Sequence, residues 1–402
     1  MRRDNPVVIT NYGMIEGIIE NDVYTFKGIP YAASIEGGNK WLPPKRPKSW
    51  EDIKETKEFG EIPPQMSPNY KGKYAGIFGP FLIPKGQQGN DCLNLNVWTA
   101  SIEPEQKQPI MVWIYGGSLM AGVAEDIYSR HKLAQKGVVV MSMNYRVGVH
   151  GFLALDELFE GEYGNGNRGH LDQIEAIKWV KENAEAFGGD PDNITILGES
   201  AGAVSVMALL ASPLTNGLFQ RAICQSGFIQ DVPLSDHNVL ARKALKKLNV
   251  KPGDKETLNN IPNEKLIKLG MPLMIQLLLP WIKNKYGLFA TRGTAFTQAT
   301  GTDFLPMPVL DCIKAGNANG VGLLIGSNLN ECRMTALMNG GMKKGIRNYW
   351  MFAGGNIGDR KTKKEAIKLY SEAYPEKDIW HVKEEILYDA VIQCYWMIYA
   401  SL

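Results

Sequence analysis

The pattern of hydrophobic and polar positions predicts strands and helices along most of the chain. Residues 7–19 and 23–26 alternate apolar and polar positions, which is typical of antiparallel strands joined by tight turns. Helical spacing appears at residues 127–135 and 171–187. Nearly continuous apolar runs, each long enough for a short buried strand, occur at residues 93–98, 110–115, 138–143, 194–197, 221–224 and 322–326. This alternation predicts an α/β fold with a mostly parallel sheet covered by helices on both faces.

Three stretches depart from this pattern. Residues 42–50 are rich in proline and predict an irregular surface connection, and residues 61–90 are rich in glycine and proline and predict a long loop. Residues 236–301 carry helical patterns and an apolar run that Pro280 interrupts. We expect a helical excursion here that packs over the rest. The whole chain, 1–402, is expected to form a single domain that contains this excursion.

The most informative stretch is residues 194–212, where an apolar strand pattern leads through Gly-Glu-Ser-Ala-Gly into a helix-forming run. A strand that turns directly into a helix forces the residue at the apex into a sparsely populated backbone conformation. The residues two before and two after the apex come so close together that only glycine fits. Gly198 and Gly202 occupy these positions around Ser200. The pattern indicates a nucleophilic serine, although Gly-x-Ser-x-Gly also arises by chance in many chains.

Charge excludes some classes of partner. The 44 basic and 42 acidic residues leave a net charge of +2, so no strong field attracts nucleic acid or anionic lipid. The basic cluster at 360–364 is interpreted as the solvated start of a helix. No stretch is long and apolar enough to cross a bilayer, and no apolar segment follows the N-terminal charges as in a secretory signal. We therefore expect no nucleic-acid or membrane partner and a cytoplasmic location.

The cysteines predict thiols rather than disulfides or a metal site. None of the five stands in a Cys-x-x-Cys or Cys/His spacing typical of metal ligands. Reduced, mostly buried thiols are the simplest interpretation. The five are Cys92, Cys224, Cys312, Cys332 and Cys394.

Several segments resemble the type-B carboxylesterase and cholinesterase family of α/β-hydrolases. The matching segments, in chain order, are residues 26–32, 91–98, 112–117, 144–148, 172–173, 187–191, 198–202 and 225–227. The resemblance implies an α/β-hydrolase fold, hydrolysis of a small-molecule carboxylic ester through an acyl-enzyme, and no cofactor.

The resemblance also implies roles for individual residues. Ser200 matches the nucleophile, and Glu331, in a polar loop after a strand, matches the acid that orients the catalytic imidazole. The main-chain N–H groups that match the family's oxyanion hole belong to Gly117, Ser118 and Ala201. The family usually has a third glycine at the position of Ser118, whose side chain narrows the site without removing the amide donor.

Four further residues match supporting positions of the family. Glu199 and Ser226 resemble polar residues that support the catalytic groups from behind. Arg146 and Asp172 resemble a structural ion pair, to which we assign no catalytic role.

Two departures from the family bear on the substrate and on the disulfides. The cysteine that would pair with Cys92 is absent, since Glu-Ile-Pro-Pro-Gln stands at 61–65. The tryptophan that binds choline in cholinesterases has no equivalent in the loop at 78–84. Without that cation–π partner, a neutral ester fits better than a quaternary ammonium ester.

None of the histidines in this sequence clearly matches the catalytic base of the family. In α/β-hydrolases the triad runs in the order serine, acid, histidine. Only His381 follows Glu331, and its surroundings are typical of a helix rather than of the family's histidine loop, which makes it a weak candidate. We expect the final strands and the histidine loop of the family to be absent from this chain, so that it hydrolyses esters poorly or not at all.

Two other interpretations stay open. The chain could be a non-catalytic, cholinesterase-like binding protein or an inactive gene fragment. Retention of Ser200, of both glycines around it and of Glu331 favours the enzyme.

Overall fold

An eight-stranded sheet forms the centre of the protein. The computed structural model describes residues 5–66, 85–125, 130–229, 231–277, 289, 294–338, 341–353 and 357–390. Within them the strands are β1 Val7–Thr10, β2 Gly13–Glu16, β3 Ile18–Glu20, β4 Val23–Pro30, β5 Lys54–Glu55, β6 Asn94–Thr99, β7 Gln108–Ile114, β8 Val139–Met143, β9 Gly189–Glu199, β10 Arg221–Gln225, β11 Val232–Pro233, β12 Ala299–Thr300 and β13 Gly322–Gly326.

The helices fall between and after these strands. They are α1 Arg130–Ala134, α2 Gly148–Phe152, α3 Asp156–Phe159, α4 Arg168–Asn183, α5 Ala201–Ala211, α6 Leu234–Leu248, α7 Lys255–Asn259, α8 Asn263–Leu277, α9 Val309–Lys314, α10 Glu331–Met338, α11 Met342–Ala353, α12 Arg360–Ala373 and α13 Ile379–Tyr388. Short 3₁₀ turns also occur, among them Gly37–Trp41 and Ala184–Phe187.

The central sheet has the strand order β13-β10-β9-β7-β8-β6-β4-β3. The five strands from β13 to β8 are parallel, and β6, β4 and β3 are added in antiparallel pairings. Because parallel crossovers are right-handed, the β7–β8 connection places α1 on one face, and the connections to β9 and β10 place α4 and α5 on the other. The predicted α/β fold with a mostly parallel sheet is confirmed.

In the described residues, three helices occupy the stretch predicted as a helical excursion. Helices α6, α7 and α8 lie within or overlap residues 236–301. Several hydrogen bonds fix them to the sheet-bearing part of the chain, and two of these come from buried aromatic rings. Trp41 Nε1 donates a hydrogen bond to the carbonyl of Leu258, and the ring of His150 bonds Asn263 through Nε2 at 3.1 Å.

The expectation that residues 322–326 form a buried strand is wrong about burial. The strand is present as β13, but Leu323 and Leu324 are 41% and 64% exposed. Strand β13 pairs with β10 and is the outermost strand of the sheet in the described part of the chain. An apolar run predicts a strand, but it does not say whether that strand has neighbours on both sides.

Two other sequence interpretations, of the basic cluster at 360–364 and of the described cysteines, are confirmed. The basic cluster begins α12, where Asp359 caps the exposed helix start by accepting from the amide of Thr362. The four described cysteines are buried free thiols. Within the described residues, no helix has both the length and the apolar character that a bilayer crossing requires. Residues 67–84, 127–129 and 278–282, Cys394 and the end of the chain from 391 lie outside the described residues.

Candidate active site

Ser200 occupies a strained turn between β9 and α5. Its backbone angles are φ 55° and ψ −122°, a conformation that a residue other than glycine rarely adopts. The turn is held by main-chain hydrogen bonds. The Ser200 amide donates to the carbonyl of Gln225 at 2.8 Å, and the amide of Val204 donates to the Ser200 carbonyl at 3.0 Å. The strand, turn and helix expected from the sequence are therefore present.

The two glycines around Ser200 allow contacts that no side chain would permit. A Cβ atom at Gly198 would lie 2.4 Å from the carbonyl carbon of Gly202. A Cβ atom at Gly202 would lie 2.1 Å from the carbonyl oxygen of Ile114, at the end of β7. The first turn of α5 therefore packs directly against the carboxyl end of β7, which brings Ser200 next to the loop that follows β7.

Replacing Gly202 by alanine should destabilise the fold by about 3 kcal/mol, since the added methyl group meets backbone atoms that cannot rotate away. Gly38→Ala is the matched control, because the Cβ atom added there finds only the Asn259 amide nitrogen, at 3.9 Å. We expect the control to change the free energy of unfolding by less than about 0.5 kcal/mol. Urea denaturation of both variants measures the difference, and equal midpoints would contradict the close approach of α5 to β7.

The loop after β7 lies beside the Ser200 turn. Parallel pairing of Ile114 in β7 with Gly198 in β9 places the end of β7 beside this turn. At Gly116, a Cβ atom would lie 3.1 Å from Cβ of Ser200. At Gly117, with φ +115°, a Cβ atom would lie 2.1 Å from the carbonyl oxygen of Ala121, so this position requires glycine.

The predicted oxyanion donors fall on two elements that meet at Ser200. Ser118 follows Gly117 and has φ 59°, and it is exposed on the loop. Ala201 is buried and begins α5, so that its N–H is one of the amides without a partner inside the helix. The three residues that were predicted to donate therefore lie at the same edge of the sheet as Ser200.

Glu331 is the first residue of α10, five residues after the end of β13, rather than a residue of the preceding loop as expected. Its Oε1 accepts hydrogen bonds from the Ser226 hydroxyl, from the Asn328 amide at 2.7 Å and from Asn328 Nδ2 at 3.2 Å. All three of these hydrogen bonds end on Oε1, so Oε2 can accept another.

Asn328 was missed by the sequence analysis. The signal that could have found it is its position three residues before Glu331, from which a short side chain can reach the start of a helix. Ser226, by contrast, was expected to support the site, and it lies in contact with Glu331. Its own position is fixed by a left-handed backbone, φ 55°, and by donation of its amide to the Gly326 carbonyl at 2.8 Å.

Glu199 ends β9 immediately before Ser200. Although part of its side chain is exposed, removal of the carboxylate from water raises its pKa to about 6, with a further contribution from the negative charge of Glu331. The two carboxylates therefore act on each other across the end of the sheet. Glu199 is the ionisable group of this site that changes charge close to neutral pH.

The five histidines all lie in described residues, and their contacts are elsewhere. His131 is in α1, which packs on β6 and β8, on the opposite side of β7 and β9 from β13. His150 bonds Asn263, and the ring of His381 bonds Asp378. His170 stacks on Phe304, and His237 packs edge-on to Phe289. None of these described contacts brings an imidazole to Ser200 or to Glu331.

The comparisons with known proteins agree with this geometry. The model of the carboxylesterase family matches residues 4–389. The chain is 38% identical over 327 residues to the para-nitrobenzyl esterase of Bacillus subtilis, with 81% of this chain and 63% of that protein covered. It is 33% identical over 334 residues to the liver carboxylesterase B-1 of Rattus norvegicus, with 81% and 57% covered. The chain thus spans less than two thirds of the length of these two relatives.

The solved structures extend the likeness to the fold. The carboxylesterase EST55 of Geobacillus stearothermophilus has a TM-score of 0.78 and 32% identity, with 98% of this chain and 76% of that chain covered. A para-nitrobenzyl esterase structure gives the same TM-score at 30% identity, with 99% and 76% covered. The expected α/β-hydrolase fold is confirmed. On the family match and on these likenesses, the chain belongs to the carboxylesterase family.

Proposed function

We propose that this chain is a serine carboxylic-ester hydrolase that forms an acyl-enzyme on Ser200. The observation that carries the proposal is the strained turn at Ser200, which holds a serine at the carboxyl edge of a parallel sheet, in contact with Gly116. Such a turn costs free energy, and a strained turn of this kind is found where a nucleophile must be held in place.

Acyl transfer also requires hydrogen-bond donors for the charge that develops on the substrate, and the neighbouring main-chain amides are proposed to supply them. When the Ser200 oxygen attacks the ester carbonyl, negative charge develops on the carbonyl oxygen. The N–H groups of Gly117, Ser118 and Ala201 are the donors proposed for that charge, since they belong to the loop and the helix start that border the serine. Main-chain donors are fixed in place before the reaction, so the protein need not reorganise as the charge forms.

Glu331 is proposed as the acid of the triad. With Oε1 held by Ser226 and Asn328, its Oε2 is able to orient a protonated imidazole. The described contacts of four histidines lead to other partners, and the helix of His131 packs on β6 and β8. Loss of the histidine from a serine triad lowers turnover by a factor on the order of a million. We therefore expect these 402 residues to hydrolyse esters slowly.

The substrate class we propose is a small, neutral ester. A cavity of about 20 Å³ lies beside Met120, whose amide bonds the Gly117 carbonyl at 3.0 Å. Its lining includes the apolar side chains of Val147, Leu266 and Phe296. The lining also includes His150, whose pKa burial lowers to about 3, which keeps it uncharged at neutral pH. This cavity has room for about one water molecule, so it does not hold the ester, and the proposal of a neutral ester rests on the choline-binding tryptophan that the loop at 78–84 lacks.

Labelling with a fluorophosphonate tests the nucleophile directly. We expect one adduct, located on Ser200 by peptide mass spectrometry, and none in Ser200→Ala. The reaction should be slow, because the described contacts bring no imidazole to the hydroxyl, so incubation over hours is required.

Ser118→Ala is the matched control for this labelling. It removes a neighbouring hydroxyl and keeps the amide that we propose as an oxyanion donor, so we expect the yield of adduct to fall by less than about threefold. An adduct of equal yield in Ser200→Ala, or one located on another residue, would overturn the proposed function.

A further inference from the structure

We propose that Glu199 is the proton acceptor for the Ser200 hydroxyl in this chain. The assignment rests on the acyl transfer proposed above and adds to it a catalytic residue. A resemblance to the family gives Glu199 only a supporting position. The contacts at the end of β9 favour a more direct role.

The first argument is position. Oε2 of Glu199 and Cβ of Ser200 each lie 3.1 Å from the point that a Cβ atom at Gly116 would occupy, so these two atoms lie within about 6 Å of each other. Both atoms therefore lie beside Gly116, at the start of the loop that follows β7. Rotation about the side-chain bonds, or one bridging water, spans the remaining distance to the hydroxyl oxygen.

The second argument is the difference between the two carboxylates of the site. Oε1 of Glu331 is occupied by Ser226 and Asn328, which hold that side chain in place. Glu199 forms no hydrogen bond with the described residues that would hold its carboxylate away from Ser200. Of these two acids, Glu199 is the one whose carboxylate no described hydrogen bond restrains.

The third argument is electrostatic and supports the geometry. Desolvation, and after it the charge of Glu331 from the β13 side, raise the pKa of Glu199 to about 6. A base works best when its pKa lies near the working pH, and a carboxylate of ordinary pKa is a weaker proton acceptor. Glu199 is thus ionised at pH 7 and still basic enough to accept a proton.

The steps balance with water as the only co-reactant. The Ser200 proton passes to Glu199 while the serine oxygen bonds to the ester carbonyl carbon, and the carbonyl electron pair moves to its oxygen. When the intermediate collapses, the carbon–alkoxy bond breaks and the alkoxide takes the proton from Glu199. Water then attacks the acyl-enzyme, gives its proton to Glu199, and releases the acid as that proton returns to Ser200.

The test measures acylation of Ser200 in the full chain as a function of pH. p-Nitrophenyl acetate is the probe, total release of p-nitrophenol and its anion is followed between pH 5 and 8 at the wavelength where both absorb equally, and the rate with Ser200→Ala is subtracted. We expect the Ser200-dependent rate to rise through a midpoint near pH 6, where the Glu199 carboxyl loses its proton. Glu199→Gln should lower the plateau by about 100-fold or more.

Three variants separate a proton acceptor from a merely structural residue. Glu199→Asp keeps the carboxylate and should recover part of the rate. Glu331→Gln removes the negative charge that raises the Glu199 pKa, so the midpoint should move to lower pH. Glu51→Gln alters an exposed glutamate outside the site and should leave rate and midpoint unchanged. Circular dichroism at every pH of the assay confirms that each variant is folded, and only rates from folded protein are used, which separates protonation of Glu199 from unfolding in acid.

The outcomes distinguish this inference from the proposed function. A Ser200-dependent rate that keeps its size and its midpoint in Glu199→Gln would overturn the role of Glu199 and leave the nucleophile intact. A release rate at every pH that is the same with and without the Ser200 hydroxyl would overturn both.

Discussion

Acidification from pH 7 to pH 5 should remove about 5 kcal/mol from the free energy of unfolding, because three histidines are buried in uncharged form. Burial lowers the pKa of His150 and of His170 to about 3, and that of His237 to about 4. In the unfolded chain the pKa of each histidine is near 6.5, so below that pH the unfolded state binds protons that the folded state does not bind. Each histidine then costs about 1.4 kcal/mol of stability per pH unit.

The direction of the pKa shifts determines how the free energy of unfolding changes with pH. A folded-state pKa below the unfolded value gives stability that is complete above pH 6.5 and is lost progressively as the pH falls toward the folded pKa values. Glu199 acts in the opposite direction, since its raised pKa favours protonation in the folded state and offsets part of the loss. A total stability of about 5–15 kcal/mol is typical, so the predicted loss is large enough to unfold the protein.

Urea denaturation at pH 7, 6 and 5 measures this effect, and His170→Phe isolates one histidine. The His170 ring packs between Phe304, with centroids 5.0 Å apart, and Phe152, at 5.2 Å. A phenyl ring suits the same aromatic contacts and does not titrate, so the dependence on pH should fall by about a third. An unchanged dependence in His170→Phe would show that these histidines do not cause the loss.

Asp172→Ala should destabilise the protein by about 3–5 kcal/mol, since it leaves the Arg146 guanidinium buried without its counter-charge. Both side chains are fully buried, and they form a two-pronged ion pair with N–O distances of 2.6 and 2.8 Å. The remaining guanidinium nitrogen of Arg146 donates to main-chain carbonyls, the shortest bond being 2.7 Å to Leu42. These carbonyls carry no full charge and cannot replace the carboxylate.

Glu182→Ala is the matched control, because it breaks an ion pair of similar length at the surface. Arg46 and Glu182 lie 2.7 Å apart, with 60% and 32% of their side chains exposed. A pair in water contributes about 0–1 kcal/mol. Urea denaturation compares the two variants, and a loss in Asp172→Ala no greater than in Glu182→Ala would contradict the structural role of the buried pair.

The sequence predicted those parts of the site that depend on neighbours along the chain. The turn at Ser200 needs glycine two residues to either side, and a local pattern shows this requirement directly. The Arg146–Asp172 pair followed from the resemblance alone, since nothing local relates two residues that are 26 apart. The role of Asn328 and the approach of Glu199 to Gly116 depend on where separate strands end, which a local pattern does not contain.

The fold was likewise predicted where a local pattern decides the structure, and was not predicted where distant residues decide it. The strands were predicted because their apolar runs are local, but the exposure of Leu323 and Leu324 is set by the number of neighbours of β13. Arg168 is a second example. It is fully buried and donates to four main-chain carbonyls, including those of His150 and Tyr163, an arrangement that its place at a helix start does not reveal.

The position of Glu331 next to β13 links its carboxylate to the periphery of the sheet. Ser200 is carried by β9, a central strand with a hydrogen-bonded neighbour on each side, whereas the strand leading to Glu331 is bonded to β10 along one margin in the described chain. A strand that is hydrogen-bonded along one margin opens locally at a lower cost in free energy than one that is bonded along both. The distance between the side chains of Ser200 and Glu331 therefore depends on how firmly the outermost described strand is held, and a contact that adds hydrogen bonds along that margin will narrow the range of this distance.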